Sequence, residues 1–306
     1  MQKIINIGIY HTLVAQLDKL ARHNRQGSYR TRERYYEAFK RFCAYLADVF
    51  HLQRLERISG KHLVSYILHL QDSGKSASTI KTDLSAIRFF HDKLPAPRYR
   101  LPDNSELGIE LERRRFGQED RTWSAEEFER MVAQAVSEGR RDYVLAAHLA
   151  RYVGLRVHEC FRVDTATTER AIRESAITVK GKGGKVRTVP ISAEVAALLR
   201  EQLTHTARGH KLLVSGDVPT DRAINAFQQW LLSHREEIQD ADDSRPLTAH
   251  GLRHTYAAEQ YKALTACGTG ALDAHFAVSR LLGHERADVT DIYLASLKEE
   301  KGGNRA

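Results

Sequence analysis

Residues 247–255 read LTAHGLRHT, a short stretch that carries two basic side chains at helical spacing. His250 and Arg253 are three residues apart, and side chains at that spacing share one face of an α-helix. Tyr256 and Tyr261 follow this stretch. We therefore expect a helix that begins near His250 and presents an imidazole and a guanidinium to the same neighbour.

Three other short motifs accompany this stretch in a fixed order along the chain. They are YVGLRVHE at 152–159, VKGKGGKVRTVPI at 179–191 and LLGH at 281–284, and Tyr293 follows nine residues after His284. The run ESAITVKGKGGKVRTVPIS alternates β-forming residues around a Gly-Lys-Gly-Gly-Lys turn, which predicts a β-hairpin. Ser124 and Glu127 fit a capping box, which predicts a helix start, and a later helix is expected to run through Arg156.

Together and in this order, the motifs resemble those of the tyrosine recombinase (phage integrase) family. The resemblance places the family's catalytic residues on Arg156, Lys182, His250, Arg253, His284 and Tyr293, the last as the nucleophile. It implies a site-specific DNA recombinase or integrase that cuts and rejoins strands through a 3′-phosphotyrosyl intermediate, without ATP, cofactor or metal ion. It also implies an all-α core-binding domain, a SAM-like helical bundle, followed by a mixed α+β catalytic domain with a small antiparallel sheet.

These residue types suit phosphodiester chemistry in their own right. A phosphodiester under attack gains negative charge on its nonbridging oxygens, and arginine offers a planar fork of donors that stays charged at working pH. Tyrosine ordinarily has a pKa of about 10, so attack near neutral pH needs a proton acceptor or strong stabilisation of the developing charge, and His250 is the best candidate for assisting it. The resemblance suggests Lys182 as the general acid that protonates the leaving 5′ oxygen, with Lys185 as the alternative. It suggests His284 as a donor to a nonbridging oxygen.

The positive charge of the chain is concentrated in its first third. Residues 1–100 carry 18 Lys and Arg against 8 Asp and Glu, whereas the net charge of all 306 residues is +8. A basic segment favours a polyanionic partner such as double-stranded DNA, because phosphate contacts gain affinity by releasing counterions. The runs TRERYYEAFKRFCAYLADVF and ASTIKTDLSAIRFFHDKL have apolar residues at helical spacing, which predicts a basic helical bundle. Lys75, Lys81 and Arg88 are its predicted phosphate contacts, and a solvated basic face is the alternative for each.

The sequence divides into two domains in this interpretation. Residues 95–120 contain three of the six prolines and a charge run without sustained periodicity, which is typical of a linker. We assign 1–94 to an N-terminal helix and the helical DNA-binding domain, and 121–306 to the catalytic domain. The 30 residues between Arg253 and His284 include CGTGALDAHF and suggest an extra loop.

Several other classes of protein are excluded by the sequence. The cysteines, Cys43, Cys160 and Cys267, lie far apart and form no CxxC zinc or redox motif. The sequence also lacks a metal-ligand cluster at familiar spacing, a phosphate-binding glycine loop and a serine nucleophile elbow. His148 and Arg151 interrupt the apolar run DYVLAAHLARYVGL, so we expect no membrane-spanning helix. We expect a cytoplasmic protein that is nucleoid-associated when it is bound to DNA.

The resemblance further implies a homotetramer on DNA. In that arrangement four protomers synapse two duplexes and exchange strands through a Holliday junction, as enzymes of mobile genetic elements do. Accessory DNA-bending or directionality factors are further expected partners. Two other functions stay open at this point. A type IB topoisomerase-like or resolving enzyme would share the site without exchanging strands between duplexes, and a catalytically silent DNA-binding protein would bind DNA without forming a covalent adduct.

Overall fold

The computed structural model describes residues 4–109, 120–181, 184–241, 245, 247–283, 290, 291, 293, 294 and 297. The chain separates into two compact units, Met1–Arg114 and Arg115–Ala306. This division falls inside the segment that the sequence predicts as a linker, and each unit has a hydrophobic core of its own. Among the described residues, no helix has an apolar stretch long enough to span a lipid bilayer.

The first unit is a bundle of α-helices. Its elements are α1 (Ile7–Arg22), α2 (Tyr29–Phe50), a 3₁₀ turn (Leu55–Arg57), α3 (Gly60–Asp72) and α4 (Ala77–His91). Ser28 and Ser76 begin α2 and α4, because the hydroxyl of each accepts a hydrogen bond from a backbone N–H in the first helical turn. The predicted all-α character of this domain is confirmed.

The apolar stripes predicted in α2 and α4 form the core of the first unit. Phe39, Phe42 and Phe90 are buried together, and the ring centroids of Phe39 and Phe90 are 5.5 Å apart. Leu101 and Leu107 are buried in the same cluster. The first part of the predicted linker therefore packs against the helical bundle, because these leucines remove apolar surface from water.

The second unit combines helices with one β-hairpin in its described residues. Its elements are α5 (Ala125–Ser137), α6 (Arg141–Tyr152), α7 (Val157–Cys160), α8 (Thr165–Glu174), β1 (Ala176–Lys180), β2 (Val186–Pro190), α9 (Ala193–Thr204), α10 (Thr220–Ser233), α11 (Arg235–Ile238), α12 (Ala249–Ala266) and α13 (Ala271–Leu282). The strands pair antiparallel with Ile177 opposite Val189, and both of these residues are buried. The predicted mixed α+β domain with a small antiparallel sheet is confirmed.

The helix predicted to run through Arg156 ends at Tyr152, so that prediction was wrong. Gly154 has a φ of +66°, which L side chains rarely adopt, and a Cβ at this position would overlap the ring of Tyr256. The chain can turn at Gly154 because glycine adopts this φ and has no Cβ to meet the ring of Tyr256. Arg156 consequently stands at the N-cap of α7 rather than within a helix.

The prediction of an extra loop between Arg253 and His284 was also wrong. Residues 267–270 join α12 directly to α13, and the remaining part of CGTGALDAHF lies in α13. The helix forms because Ala274, Val278 and Leu282 recur every four residues and are buried on one face.

Candidate active site

The start of α12 is held in place by the segment before α5. The hydroxyl of Thr248 accepts a hydrogen bond from the backbone N–H of Gly251 at 3.1 Å, and the indole N–H of Trp123 donates to the Thr248 carbonyl at 3.1 Å. A Cβ at Gly251 would lie 2.5 Å from the carbonyl oxygen of Arg121. This close approach requires glycine and fixes the helical turn that bears His250.

Arg253 lies one turn further along α12 and is completely buried. Its two terminal nitrogens donate to the backbone carbonyls of Gly154 and Leu282. Its Nε has no hydrogen-bond partner among the described residues. Burial and the positive charge of Arg156 lower the pKa of Arg253 to about 10, so the group remains charged at neutral pH. A fixed guanidinium with a free donor is suited to an anionic ligand.

Arg156 is held by a carboxylate one helical turn away. The backbone N–H of Arg156 donates to Oε2 of Glu159 at 2.7 Å, and its Nη1 donates to Oε1 at 3.0 Å. Arg187 on β2 donates to the same two oxygens at 2.7 and 2.8 Å. Burial alone would raise the pKa of Glu159, but these hydrogen bonds and the charges of the two arginines lower it to about 2. Glu159 is therefore a permanent anion between two guanidinium groups.

Tyr293 is packed against two histidines of α12. Its hydroxyl lies 3.0 Å from Nε2 of His250. Its ring stacks on His254, with ring centroids 4.3 Å apart and planes inclined by 24°. The guanidinium carbon of Arg253 is 5.7 Å from the centroid of the Tyr293 ring. The phenol is thus held between an imidazole face and a hydrogen-bonding imidazole nitrogen.

His250 is electrically neutral at physiological pH in this environment. Crowding by surrounding protein atoms and the positive charges of Arg253, Arg156 and Arg121 lower its pKa to about 4, while the residue itself keeps an exposed surface. Neutral imidazole has one nitrogen that can accept a proton. His250 is consequently suited to take the proton of a neighbouring hydroxyl.

Four of the six predicted catalytic residues come together in the described part of the chain. These are Arg156, His250, Arg253 and Tyr293. A nitrogen of each arginine lies within 4.0 Å of a Glu159 oxygen, and the ring centroids of His250 and Tyr293 lie 5.2 and 4.3 Å from that of His254. Lys182 and His284 lie outside the described residues. Among the described residues, no three His, Cys, Asp or Glu side chains are grouped so that they could hold a metal ion.

The three predicted DNA contacts lie at or near α4 in the first unit. Lys75 is exposed just before the helix, and Lys81 is half-buried on it. The Arg88 guanidinium donates to the Pro102 carbonyl at 2.9 Å and to Oδ1 of Asn104 at 2.8 Å. Arg88 therefore ties α4 to the segment that follows it. If Arg88 also contacts DNA, the same side chain serves both purposes.

Sequence reasoning gave no role to Glu159, Arg187 or His254, although all three stand within quoted motifs. Two signals could have found them. Arg187 lies on the same side of its strand as the buried Val189, and an inward-facing arginine requires an anionic partner. His254 is four residues after His250, so the two rings share a face of α12.

Comparison with known proteins identifies the family of both units. The model of the "Phage integrase family" matches residues 122–300, and the "Phage integrase, N-terminal SAM-like domain" model matches residues 16–96. Tyrosine recombinase XerD of Rhizobium meliloti is 30% identical over 258 residues, which are 79% of this chain and 77% of that protein. Tyrosine recombinase XerC of Chlamydia caviae is 27% identical over 247 residues, 77% of this chain and 73% of that protein.

Solved structures share the fold at low sequence identity. A lambda integrase (75–356) dimer bound to a COC′ core site has a TM-score of 0.66 and 18% identity, over 93% of this chain and 94% of that chain. A lambda integrase tetramer bound to a Holliday junction has a TM-score of 0.65 and 17% identity, over 92% of this chain and 76% of that chain. These likenesses extend over both compact units.

Proposed function

The chain belongs to the phage integrase family of tyrosine recombinases, enzymes that cut and rejoin DNA at specific sites, and from this premise we propose that it breaks DNA strands by attack of Tyr293 on a phosphodiester. In this step a bond forms between Oη of Tyr293 and phosphorus, and the bond between phosphorus and the 5′ oxygen breaks. The product is a 3′-phosphotyrosyl ester with a free 5′ hydroxyl. Attack by a 5′ hydroxyl reverses the step, so strands rejoin without ATP.

The contact between Tyr293 and His250 is the observation that carries this proposal. The phenol hydroxyl is 3.0 Å from Nε2 of His250, which is within the range for proton transfer. The imidazole is neutral because its pKa is lowered to about 4. A lowered pKa also makes His250 a weaker base, so the proton of Tyr293 moves to it as the phenol oxygen bonds phosphorus and becomes acidic, not before.

The two arginines are proposed to bind the nonbridging oxygens of the phosphate. Arg253 has a buried Nε that lacks a partner among the described residues, and the Arg156 side chain, which is 22% exposed, gives the open contact for the phosphate. Two fixed positive charges stabilise the negative charge that grows on the phosphate during attack. We assign His284 as a further donor to these oxygens, on the strength of its motif.

Proton delivery to the leaving group is assigned to Lys182. As the bond to phosphorus breaks, its electron pair goes to the 5′ oxygen, which takes a proton from the ammonium group of the lysine. Lys185, three residues after Lys182 in the sequence, is the alternative donor. General acids of this kind contribute roughly 10²–10⁴-fold to a rate.

The first unit is proposed to hold duplex DNA through its basic surface, with Lys75, Lys81 and Arg88 as phosphate contacts. Binding of this kind would make the protein nucleoid-associated. We also propose, from membership of the family, that a homotetramer synapses two duplexes and exchanges strands through a Holliday junction, with accessory DNA-bending or directionality factors. Lambda integrase, whose fold is similar, has been solved as a tetramer bound to such a junction.

Covalent trapping tests the proposed chemistry. Labelled duplexes from the DNA that flanks the gene, each nicked close to a candidate site so that rejoining is blocked, are incubated with the protein in EDTA and quenched with SDS. We expect a protein–DNA adduct from the unaltered protein and from Tyr261→Phe, and none from Tyr293→Phe.

The other outcomes favour the alternative functions. DNA binding without any adduct would indicate a catalytically silent DNA-binding protein. An adduct with relaxation of supercoiled DNA, but no exchange between two duplexes, would indicate a topoisomerase-like or resolving enzyme.

A further inference from the structure

Arg187, to which the sequence analysis gave no role, lies at the centre of a cluster of charged side chains. Its Nη1 and Nη2 donate to the two oxygens of Glu159 at 2.8 and 2.7 Å. The Arg187 side chain is only 9% exposed and that of Glu159 is fully buried. A two-point contact between a guanidinium and a carboxylate fixes orientation as well as distance. The β-hairpin is thereby attached to the carboxylate that holds Arg156.

The turn of the hairpin rests directly on this cluster. The backbone N–H of Gly181 donates to the carbonyl of Lys185 at 2.6 Å, which closes the turn. A Cβ at Gly181 would lie 3.1 Å from Oε1 of Glu159, 3.5 Å from Nη1 of Arg187 and 3.6 Å from Nη1 of Arg156. Gly181 therefore packs against all three charged groups, and it immediately precedes Lys182 in the chain.

The same arginine also packs against the end of α13. Gly283 has a φ of +65°, and a Cβ there would lie 3.0 Å from Cδ of Arg187. Gly283 immediately precedes His284. The Arg187 side chain thus lies beside Gly181 and Gly283, each of which precedes a proposed catalytic residue. It is also linked to a third proposed catalytic residue, Arg156, because both arginines bind Glu159.

We propose that Arg187 is a positioning residue for proton delivery to the leaving group: its bond to Glu159 holds Gly181 close to Arg156, and Lys182, the proposed general acid, follows Gly181 directly in the chain. This inference rests on the proposed function. Without Arg187, the turn is released from the cluster and the 5′ oxygen leaves without a proton. The cleavage rate then falls only for substrates whose leaving group needs a proton, whereas loss of phosphate binding would slow cleavage of every substrate.

A bridging sulfur at the scissile phosphate separates these possibilities. A thiol has a pKa of about 8.5, against about 16 for water and similar hydroxyls, so sulfur leaves as a thiolate without a general acid. Single-turnover cleavage is therefore measured on nicked duplexes that carry either 5′ oxygen or 5′ bridging sulfur. In the sulfur substrate the bond between phosphorus and sulfur breaks, and sulfur keeps the electron pair.

The variants are chosen to separate geometry from charge and from folding. Arg187→Gln removes the contact, and Arg187→Lys keeps the charge but loses the two-point geometry. Gly181→Ala places a methyl group 3.1 Å from Oε1 of Glu159, a tight contact that displaces the carboxylate slightly while every charge remains. Arg151→Gln is the matched control, because Arg151 is 8% exposed and also bonds a glutamate, Glu259, at 3.1 Å.

We expect the three site variants to cleave the oxygen substrate about 100-fold more slowly, and the sulfur substrate within about tenfold of the unaltered protein. Arg151→Gln should match the unaltered protein on both substrates. Equal losses on both substrates, or no loss for Arg187→Gln and Gly181→Ala, would overturn the inference. If the unaltered protein forms no adduct with either substrate, the proposed function itself fails, which is a separate result.

Discussion

The hydroxyl of Tyr293 lies 3.0 Å from Nε2 of His250, a residue 43 positions earlier in the chain. The nucleophile and its proton acceptor thus arrive from separate segments and meet through tertiary structure. The pKa of His250 is lowered to about 4, so the acceptor nitrogen is unprotonated at neutral pH. The fold of the second unit therefore assembles the pair for proton transfer.

The titration of His250 tests this relationship. The imidazole pKa should lie well below its ordinary value of about 6.5, because surrounding protein atoms and the charges of nearby arginines disfavour the charged form even though His250 has an exposed surface. Arg156→Gln should raise it by removing one of those positive charges, and Arg200→Gln, on the exposed face of α9, should not change it. NMR titration of the histidine ring signals measures both effects. A pKa at or above the ordinary value would contradict the predicted effect of the surrounding arginines on His250.

The stacking of His254 on Tyr293 predicts a role in holding the nucleophile. Aromatic contacts of this kind contribute about 0.5–1.5 kcal/mol, so His254→Ala should slow cleavage by roughly tenfold. His254→Phe retains a ring in the stack and should recover most of that rate. DNA affinity should be unchanged in both variants, as measured by gel shift. If phenylalanine is as slow as alanine, stacking is not the contribution of His254.

Removal of the Glu159 charge should destabilise the second unit strongly. Glu159→Gln leaves Arg187 and Arg156 without their anionic partner in a buried site, which typically costs about 3–5 kcal/mol. Glu259→Gln is the control, because Glu259 is 46% exposed and its pair with Arg151 should contribute less than about 1 kcal/mol. Urea unfolding at neutral pH compares the two. Equal losses would show that burial of Glu159 has no special consequence.

The same carboxylate gives a pH dependence with a defined sign. The pKa of Glu159 is lowered to about 2 in the folded protein, so its contribution to stability is complete above the ordinary value of 4.5 and is lost as the pH falls towards 2. The difference in unfolding free energy between the unaltered protein and Glu159→Gln should therefore shrink between about pH 5 and pH 3. A difference that grows in this range has the wrong sign for a lowered pKa.

The turn before Arg156 should tolerate no side chain. Gly154→Ala combines a left-handed φ with overlap between the new methyl group and the Tyr256 ring. Gly139 has a similar φ of +67° with nothing within 4 Å of its Cβ position, so Gly139→Ala measures the backbone cost alone, about 1 kcal/mol. We expect Gly154→Ala to cost at least about 3 kcal/mol by thermal or urea unfolding. Similar costs for both variants would rule out the packing role of Gly154.

Much of the fold follows from local sequence patterns. Periodic apolar residues predicted the helices around Phe39 and Phe90, and alternation around the glycine-rich turn predicted the hairpin. The break at Gly154 was missed because the residues around it look helical one by one. Only the ring of Tyr256, about a hundred positions later, makes a side chain at that turn impossible.

The candidate site was predictable to a smaller extent. Ordered motifs named Arg156, His250, Arg253 and Tyr293, which lie together in the structure. The contacts of Arg187 with Glu159 and of His254 with Tyr293 depend on how the hairpin and α12 pack, and spacing in the sequence does not encode such packing. The partners that position a catalytic group are therefore found only in three dimensions.

Mapping the covalent bond tests the central claim most directly. The adduct trapped on a nicked duplex is digested with trypsin, and the peptide that retains the nucleotide is sequenced by mass spectrometry. We predict the peptide ADVTDIYLASLK, whose one tyrosine is Tyr293, attached to the 3′ phosphate of the cleaved strand. Attachment to any other residue, or to a 5′ phosphate, would contradict the account.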